Sequence, residues 1–205
     1  MLELFYKGGP IMWPLLILSV LTVAVSIERF FFALRVGSGN SPEMNEMLNS
    51  MKYGDKKKAI EIGNSSKNKT AKIISEGLDS VSFEDAISNS ANQYIAKYDE
   101  GQTILDTAIT LAPLLGLLGT VTGMIKSFGL LGATELDAPT AITGGIAEAL
   151  IATAFGLGIA IFALIPFNIV QSKKEQFIRN LETKAGMFFI ELKKEPQSKK
   201  AVNEA

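Results

Sequence analysis

The chain has 205 residues, of which 47% are hydrophobic, and a formal net charge of −1. It contains no cysteine and no histidine, which excludes disulfides, thiolate nucleophiles, imidazole bases and the common zinc ligands. Its mean hydropathy of +0.24 is high for a soluble domain of this length. We therefore expect a membrane protein that is not an enzyme, uses no cofactor or metal and has no nucleic-acid partner.

Three stretches without charge approach or exceed the roughly 20 residues that cross a hydrocarbon core. They are Gly8–Ile27, Thr107–Ile125 and Ala149–Ser172. The sequence predicts three transmembrane helices, near residues 11–34, 104–131 and 139–170. A cleaved signal peptide is the alternative for the first, but the acidic Glu3 and the apolar run that resumes after Arg29 favour a retained helix.

The distribution of Lys and Arg predicts the orientation in the membrane. The segment between the first two spans and the tail after the third are rich in Lys and Arg, whereas the link between spans two and three carries only Glu135 and Asp137. Basic segments stay in the cytoplasm. We therefore expect a multi-pass protein of the bacterial inner membrane with a periplasmic N-terminus and a cytoplasmic C-terminus.

Helix start and stop signals divide the cytoplasmic segments. Ser41-Pro42 and Ser82-x-x-Asp85 are typical of helix starts, and Gly54-Asp55 ends one helix and caps the next. From Phe83 the pattern predicts one helix to Leu131, about 70 Å long, and a third helix that stops at Pro196. Breaks at Gly101 and Ser172 are the alternative.

These signals predict an all-α integral membrane protein with three transmembrane helices, the second and third extending into a cytoplasmic helical bundle. The expected parts are an N-terminal segment and first span (1–35), a cytoplasmic helical region (36–103), a pore-forming module (104–172) and a cytoplasmic tail (173–205).

Small residues recur at helical spacing in the second and third spans. Such residues let helix backbones approach closely in lipid, where no hydrophobic drive brings helices together. We expect the two helices to pack through Gly116, Gly119, Gly123, Ala152 and Gly156.

Glu148 is the only charged residue between Ala138 and Ser172. A carboxylate at membrane depth costs roughly 2.5–3.5 kcal/mol on insertion scales and usually marks an ion or proton path. Thr120 and Thr153 carry hydroxyl groups that could join it in a polar seam. The default for each is a hydrogen bond from the hydroxyl to a backbone carbonyl one turn earlier in its own helix. No basic residue is an obvious partner for Glu148, and a purely structural hydrogen-bonding role is its alternative interpretation.

Two long blocks resemble the MotA/TolQ/ExbB proton channel family. The first is Leu105-Asp106 with Ala112-Pro113-Leu114-Leu115-Gly116-Leu117-Leu118-Gly119-Thr120-Val121-Thr122-Gly123-Met124-Ile125. The second is Gly145-Ile146-Ala147-Glu148-Ala149-Leu150-Ile151-Ala152-Thr153-Ala154-Phe155-Gly156-Leu157-Gly158. The three-span arrangement is similar to the ExbB and TolQ branch rather than to the flagellar branch.

The resemblance implies a pentamer around a pore that holds the single transmembrane helices of an ExbD- or TolR-like dimer. In that family the partner helix supplies an essential aspartate, and a TonB- or TolA-like protein relays the energy to the outer membrane. By position, Glu148, Thr153 and Thr120 match the pore-facing polar residues. We expect H⁺ rather than Na⁺ to be translocated by an ExbB-like, pore-forming motor subunit that energises TonB-dependent outer-membrane transport. A TolQ-like subunit, a motility stator and a non-conducting scaffold are the alternatives.

Overall fold

The computed structural model describes residues 2–35, 42–129 and 138–203, and all of its regular elements there are α-helices. In chain order they are α1 (Leu2–Lys7), α2 (Met12–Arg35), α3 (Pro42–Lys52), α4 (Lys56–Ser65), α5 (Lys69–Asp79), α6 (Phe83–Asp99), α7 (Gln102–Gly129) and α8 (Ala138–Asn203). The all-α class is confirmed. The acidic link with Glu135 and Asp137 lies outside the described residues.

Three helices are long and apolar enough to cross a membrane: Met12–Leu34, Gln102–Gly129 and the apolar part of α8 within Thr143–Lys194. This confirms the three predicted spans. Only 22–28% of the residues in the most apolar window of each span are buried within the protomer. Most of their apolar side chains therefore face outwards, as expected of helices that contact lipid or other subunits.

The chain divides into two compact units, each built from two separate stretches. The first, here called the span unit, comprises Met1–Ala33 and Glu100–Val170. The second, called the helical unit, comprises Leu34–Asp99 and Gln171–Ala205.

The core of the span unit joins α2, α7 and α8. Met12 and Leu15 pack with Ala112 and Ala152 in one buried cluster. A second cluster consists of Leu105, Ala108 and Ala163. Alanines at these contacts keep the helices close while still burying apolar surface.

Side-chain caps begin the short helices of the helical unit. The Asp55 carboxylate accepts a hydrogen bond from the Lys58 backbone N–H at 3.0 Å, and the Asn68 side chain accepts one from the Thr70 N–H at 2.9 Å. Gly54, with φ of +77°, ends α3 just before the Asp55 cap, as predicted. Residues 66–68 link α4, which ends at Ser65, to α5, which begins at Lys69.

The predicted continuous helix from Phe83 to Leu131 is wrong, and the alternative break at Gly101 is confirmed. Gly101 has φ of +69°, a left-handed conformation that interrupts the helix between α6 and α7. A Cβ atom there would lie 3.0 Å from Val25 Cγ1, so glycine also allows the close approach of α2. The predicted end at Leu131 lies outside the described residues.

The predicted stop at Pro196 and the alternative break at Ser172 are both wrong, because α8 runs from Ala138 to Asn203. Proline removes one backbone hydrogen bond but does not by itself end a helix among good helix formers, and Glu195 and Gln197 flank this one. Ser172 lies inside the same helix for the same reason: one residue of moderate propensity does not break it.

Alkaline pH should destabilise the helical unit through Tyr98, which is 1% exposed and stacks on Phe177 with ring centroids 5.5 Å apart. Burial raises the pKa of Tyr98 above 10.0. Its folded-state pKa therefore exceeds the unfolded value, so the stabilisation is fully present below pH 10 and is lost as pH rises through the folded pKa. Tyr98→Phe, which cannot ionise, should make alkaline unfolding less steep. The measurement is the denaturation midpoint at several values between about pH 9 and pH 12.

Tyr53→Phe is the matched control, because Tyr53 is 89% exposed and should leave the profile unchanged. Lys69 acts in the opposite direction: burial and then the Lys97 charge lower its pKa, so its contribution improves as pH rises. Lys69 is present in every variant, so it does not account for a difference between them. Identical profiles for Tyr98→Phe and the unsubstituted chain would contradict the assignment to Tyr98.

Candidate functional site

Glycine and alanine residues bring α7 and α8 together in an antiparallel seam. A Cβ atom at Gly119 would lie 2.6 Å from Ala152 Cβ, and one at Gly123 would lie 2.9 Å from the Gly145 carbonyl oxygen. At Gly116 it would lie 2.9 Å from Thr153 Cα. Successively later glycines of α7 therefore contact successively earlier residues of α8, so the two helices are antiparallel.

Among the glycines of this seam, Gly156 makes the closest approach to backbone atoms of the other helix. A Cβ atom there would overlap the Ala112 carbonyl oxygen and lie 3.2 Å from Gly116 Cα. These neighbours are backbone atoms, which a side-chain rotation cannot move. The two helices are thus held at a separation that a single added methyl group would disturb.

Glu148 lies on α8 and pairs with a basic residue of α7. The distance from Lys126 Nζ to Glu148 Oε2 is 3.0 Å, and the two side chains are 62% and 20% exposed, respectively. The expectation that Glu148 has no obvious basic partner is therefore wrong. Lys126 reaches it because the antiparallel seam places the end of α7 beside the first third of α8, a proximity that a separation of 22 positions in the sequence conceals.

The other carboxylate oxygen of Glu148 faces a turn between α1 and α2. A Cβ atom at Gly9 would overlap Glu148 Oε1, and Gly9 has φ of +74°, so both space and backbone conformation favour glycine there. The carboxylate is thus flanked by the Lys126 ammonium on one side and by the Gly9 backbone on the other.

An open cavity of about 340 Å³ adjoins the ion pair. Tyr6 and Lys7 of α1 line it together with Lys126, Ser127, Gly144, Gly145 and Glu148. Polar and charged groups from three helices therefore converge on one carboxylate within a unit whose other helix contacts are mostly apolar. Among the described residues, no group of three or more acidic, His or Cys side chains could hold a metal ion.

The hydroxyls of the two predicted site threonines bond to backbone carbonyls rather than to Glu148. Thr153 donates across the seam to the Gly116 oxygen at 2.8 Å, whereas Thr120 donates to the Leu117 oxygen of its own helix at 2.6 Å. Thr120 thus makes the expected hydrogen bond back to its own helix. For Thr153 that expectation is wrong, because its acceptor lies on α7. Thr153 lies at the same contact as the small residues that bring the two helices together.

Sequence reasoning missed Lys126 and Gly9 as neighbours of Glu148. One signal was available for Lys126, which is the only basic residue between positions 104 and 131. A basic residue within one span and an acidic residue within the next are natural partners when the helices are adjacent. Gly9 lacked any such signal, because its role depends on where the α1–α2 turn lies.

Several known proteins are similar to this chain over most of its length. It is 36% identical to the protein named ExbB-like 1 of Synechocystis sp. over 186 residues, which cover 86% of this chain and 72% of that protein. It is 28% identical to a protein named as an ExbB homolog in Methanothermobacter thermautotrophicus, over 88% of this chain and 66% of that protein. The biopolymer transport protein ExbB of Neisseria meningitidis is 26% identical over 92% of this chain and 94% of its own length.

The sequence model of one family matches residues 57–183, which include α7 and the part of α8 that carries Glu148. This range contains both blocks on which the resemblance was based. The chain belongs to the MotA/TolQ/ExbB proton channel family.

Proposed function

We propose that this chain is the pore-forming subunit of an ExbB-like, proton-motive-force-driven motor in the bacterial inner membrane. It works with an ExbD-like single-span partner and, through a TonB-like protein, energises transport across the outer membrane. The observation that carries the proposal is Glu148, a carboxylate held on a membrane-spanning helix beside a polar cavity. Family membership and the names of the relatives support the ExbB-like role.

One carboxylate per chain is half of a proton relay. A path along which a proton hops needs a second group that accepts it, and the ExbD-like helix would supply that group from within the pore. Thr153 and Thr120 would line the same pore. The driving force is adequate, since one charge crossing 100 mV is worth about 2.3 kcal/mol.

A homo-oligomer, with five copies by family resemblance, would form the pore. The largely exposed apolar surface of the three spans supports association, since part of it is available to neighbouring subunits. The positive-inside rule supports a periplasmic N-terminus and a cytoplasmic C-terminus.

The Lys126–Glu148 ion pair favours a second candidate, a non-conducting assembly scaffold. A carboxylate that accepts a bond from an ammonium at 3.0 Å could simply hold α7 against α8. TolQ-like and motility-stator roles differ from the first proposal only in the protein that receives the energy. The names of the three relatives favour the ExbB-like role over both.

Flux measurements separate the motor from the scaffold. The full chain is reconstituted in liposomes with and without an ExbD-like partner, and proton entry is followed with an internal pH dye under an imposed potential. We expect flux only when both proteins are present. In cells, an uncoupler should stop transport that depends on the chain. Equal, background flux in both preparations would contradict the motor and favour the scaffold.

A further inference from the structure

Lys126 occupies the position at Glu148 that a transported cation would use. Its ammonium lies 3.0 Å from Oε2, a normal distance for a charge-assisted hydrogen bond. The opposite oxygen, Oε1, is packed against Gly9. Both carboxylate oxygens therefore have close neighbours within the protomer, and one of those neighbours is already a cation.

The cavity beside Glu148 has more positive than negative charge among its described residues. Lys126 faces it from α7 and Lys7 from α1, while Glu148 is the carboxylate that lines it from α8. Tyr6 and Ser127 add neutral hydroxyls. A metal cation that enters this space has to approach the Lys126 ammonium, which already holds one oxygen of Glu148 and repels it.

Protons and sodium ions place different demands on such a site. A hard metal cation needs several oxygen ligands around it. The Lys126 ammonium takes one coordination position on Glu148, and the Gly9 backbone narrows the approach to the other. A proton needs a single lone pair on one oxygen, and no coordination shell has to form around it.

We propose that Lys126 is a specificity-determining residue that keeps Na⁺ away from Glu148 and thereby favours H⁺. This proposal rests on the ion-conducting function proposed above. The tethered ammonium acts as a resident counter-cation: it balances the carboxylate without leaving the site, so a metal ion would have to displace it to bind.

The test compares Na⁺ and H⁺ entry into liposomes that contain the full chain and its ExbD-like partner, with dyes for each ion. Lys126→Gln should raise the Na⁺-to-H⁺ flux ratio by roughly 1.5- to fivefold, the range for loss of one partly exposed charge pair. Lys126→Arg should retain the original ratio, because it keeps the charge. Lys57→Gln, which removes an exposed lysine of α4, is the matched control and should also leave the ratio unchanged.

An unchanged ratio in Lys126→Gln, with flux still present, would overturn the role of Lys126 and leave the proposed function intact. Absence of partner-dependent flux in the unsubstituted protein would overturn the proposed function and this inference with it. If Lys126→Gln does not assemble, the rates of Na⁺ and H⁺ entry through the unsubstituted protein and through Lys126→Arg still test the proposal. Na⁺ entry as fast as H⁺ entry with Lys126 in place would contradict the proposal, and strong preference for H⁺ that Lys126→Arg retains would support it.

Discussion

Glu148→Gln should abolish proton-driven transport while the protein still inserts and assembles. Glutamine has nearly the same shape and keeps a hydrogen-bonding carbonyl, but it cannot take up and release a proton at neutral pH. We expect flux with the ExbD-like partner to fall at least tenfold, to about the background of empty liposomes. The amount of the variant in the membrane and its oligomeric state should stay close to those of the unsubstituted chain.

Glu182→Gln is the matched control, because Glu182 is an exposed carboxylate farther along the same helix, in the helical unit. It should retain full flux. Full transport by Glu148→Gln or Glu148→Ala would remove Glu148 from the ion path and favour the scaffold. A loss of assembly in Glu148→Gln would instead indicate that the ion pair with Lys126 mainly holds α7 against α8.

Gly156→Ala should destabilise the span unit more than a conservative change of one methyl group suggests. The new Cβ would overlap the Ala112 carbonyl oxygen and crowd Gly116 Cα, so α7 and α8 would have to separate. Overpacking of this kind costs about 1–3 kcal/mol. We expect the Tm of the purified protein in detergent to fall by roughly 3–10 °C, as measured by thermal denaturation.

Gly158→Ala provides the comparison on the same helix. A Cβ atom at Gly158 meets nothing within 4 Å in the protomer, and alanine is the better helix former. Its Tm should be unchanged or slightly higher. Equal losses in the two variants would mean that the cost comes from the loss of glycine itself and not from the contact between α7 and α8.

The helices of the helical unit were predictable because their signals are local. Pro42 begins α3, Gly54 ends it, and the Asp55 side chain caps α4, and each of these features acts within a few residues. Gly101 shows the limit of such signals. A single glycine within a helical pattern is compatible with a continuous helix or with a break, and its position beside Val25 and Arg29 of α2 favours the break.

The site was predictable only in its central residue. Glu148 could be identified because a charge within a long apolar stretch is costly wherever the stretch is placed. Its partners could not be identified in the same way. The contact of Lys126 with Glu148 depends on the register of α7 against α8. The contact of Gly9 with Glu148 depends on the path of the turn between α1 and α2.

The sequence by itself therefore determined the three spans, the isolated carboxylate and the family, because hydropathy, charge and contiguous motifs are properties of neighbouring residues. The tertiary structure alone decided that the carboxylate is paired, with the Lys126 ammonium on one side and the Gly9 backbone on the other. The physical reason is that an ion pair forms at about 3 Å in space between groups far apart in the chain, at a distance that helix register sets.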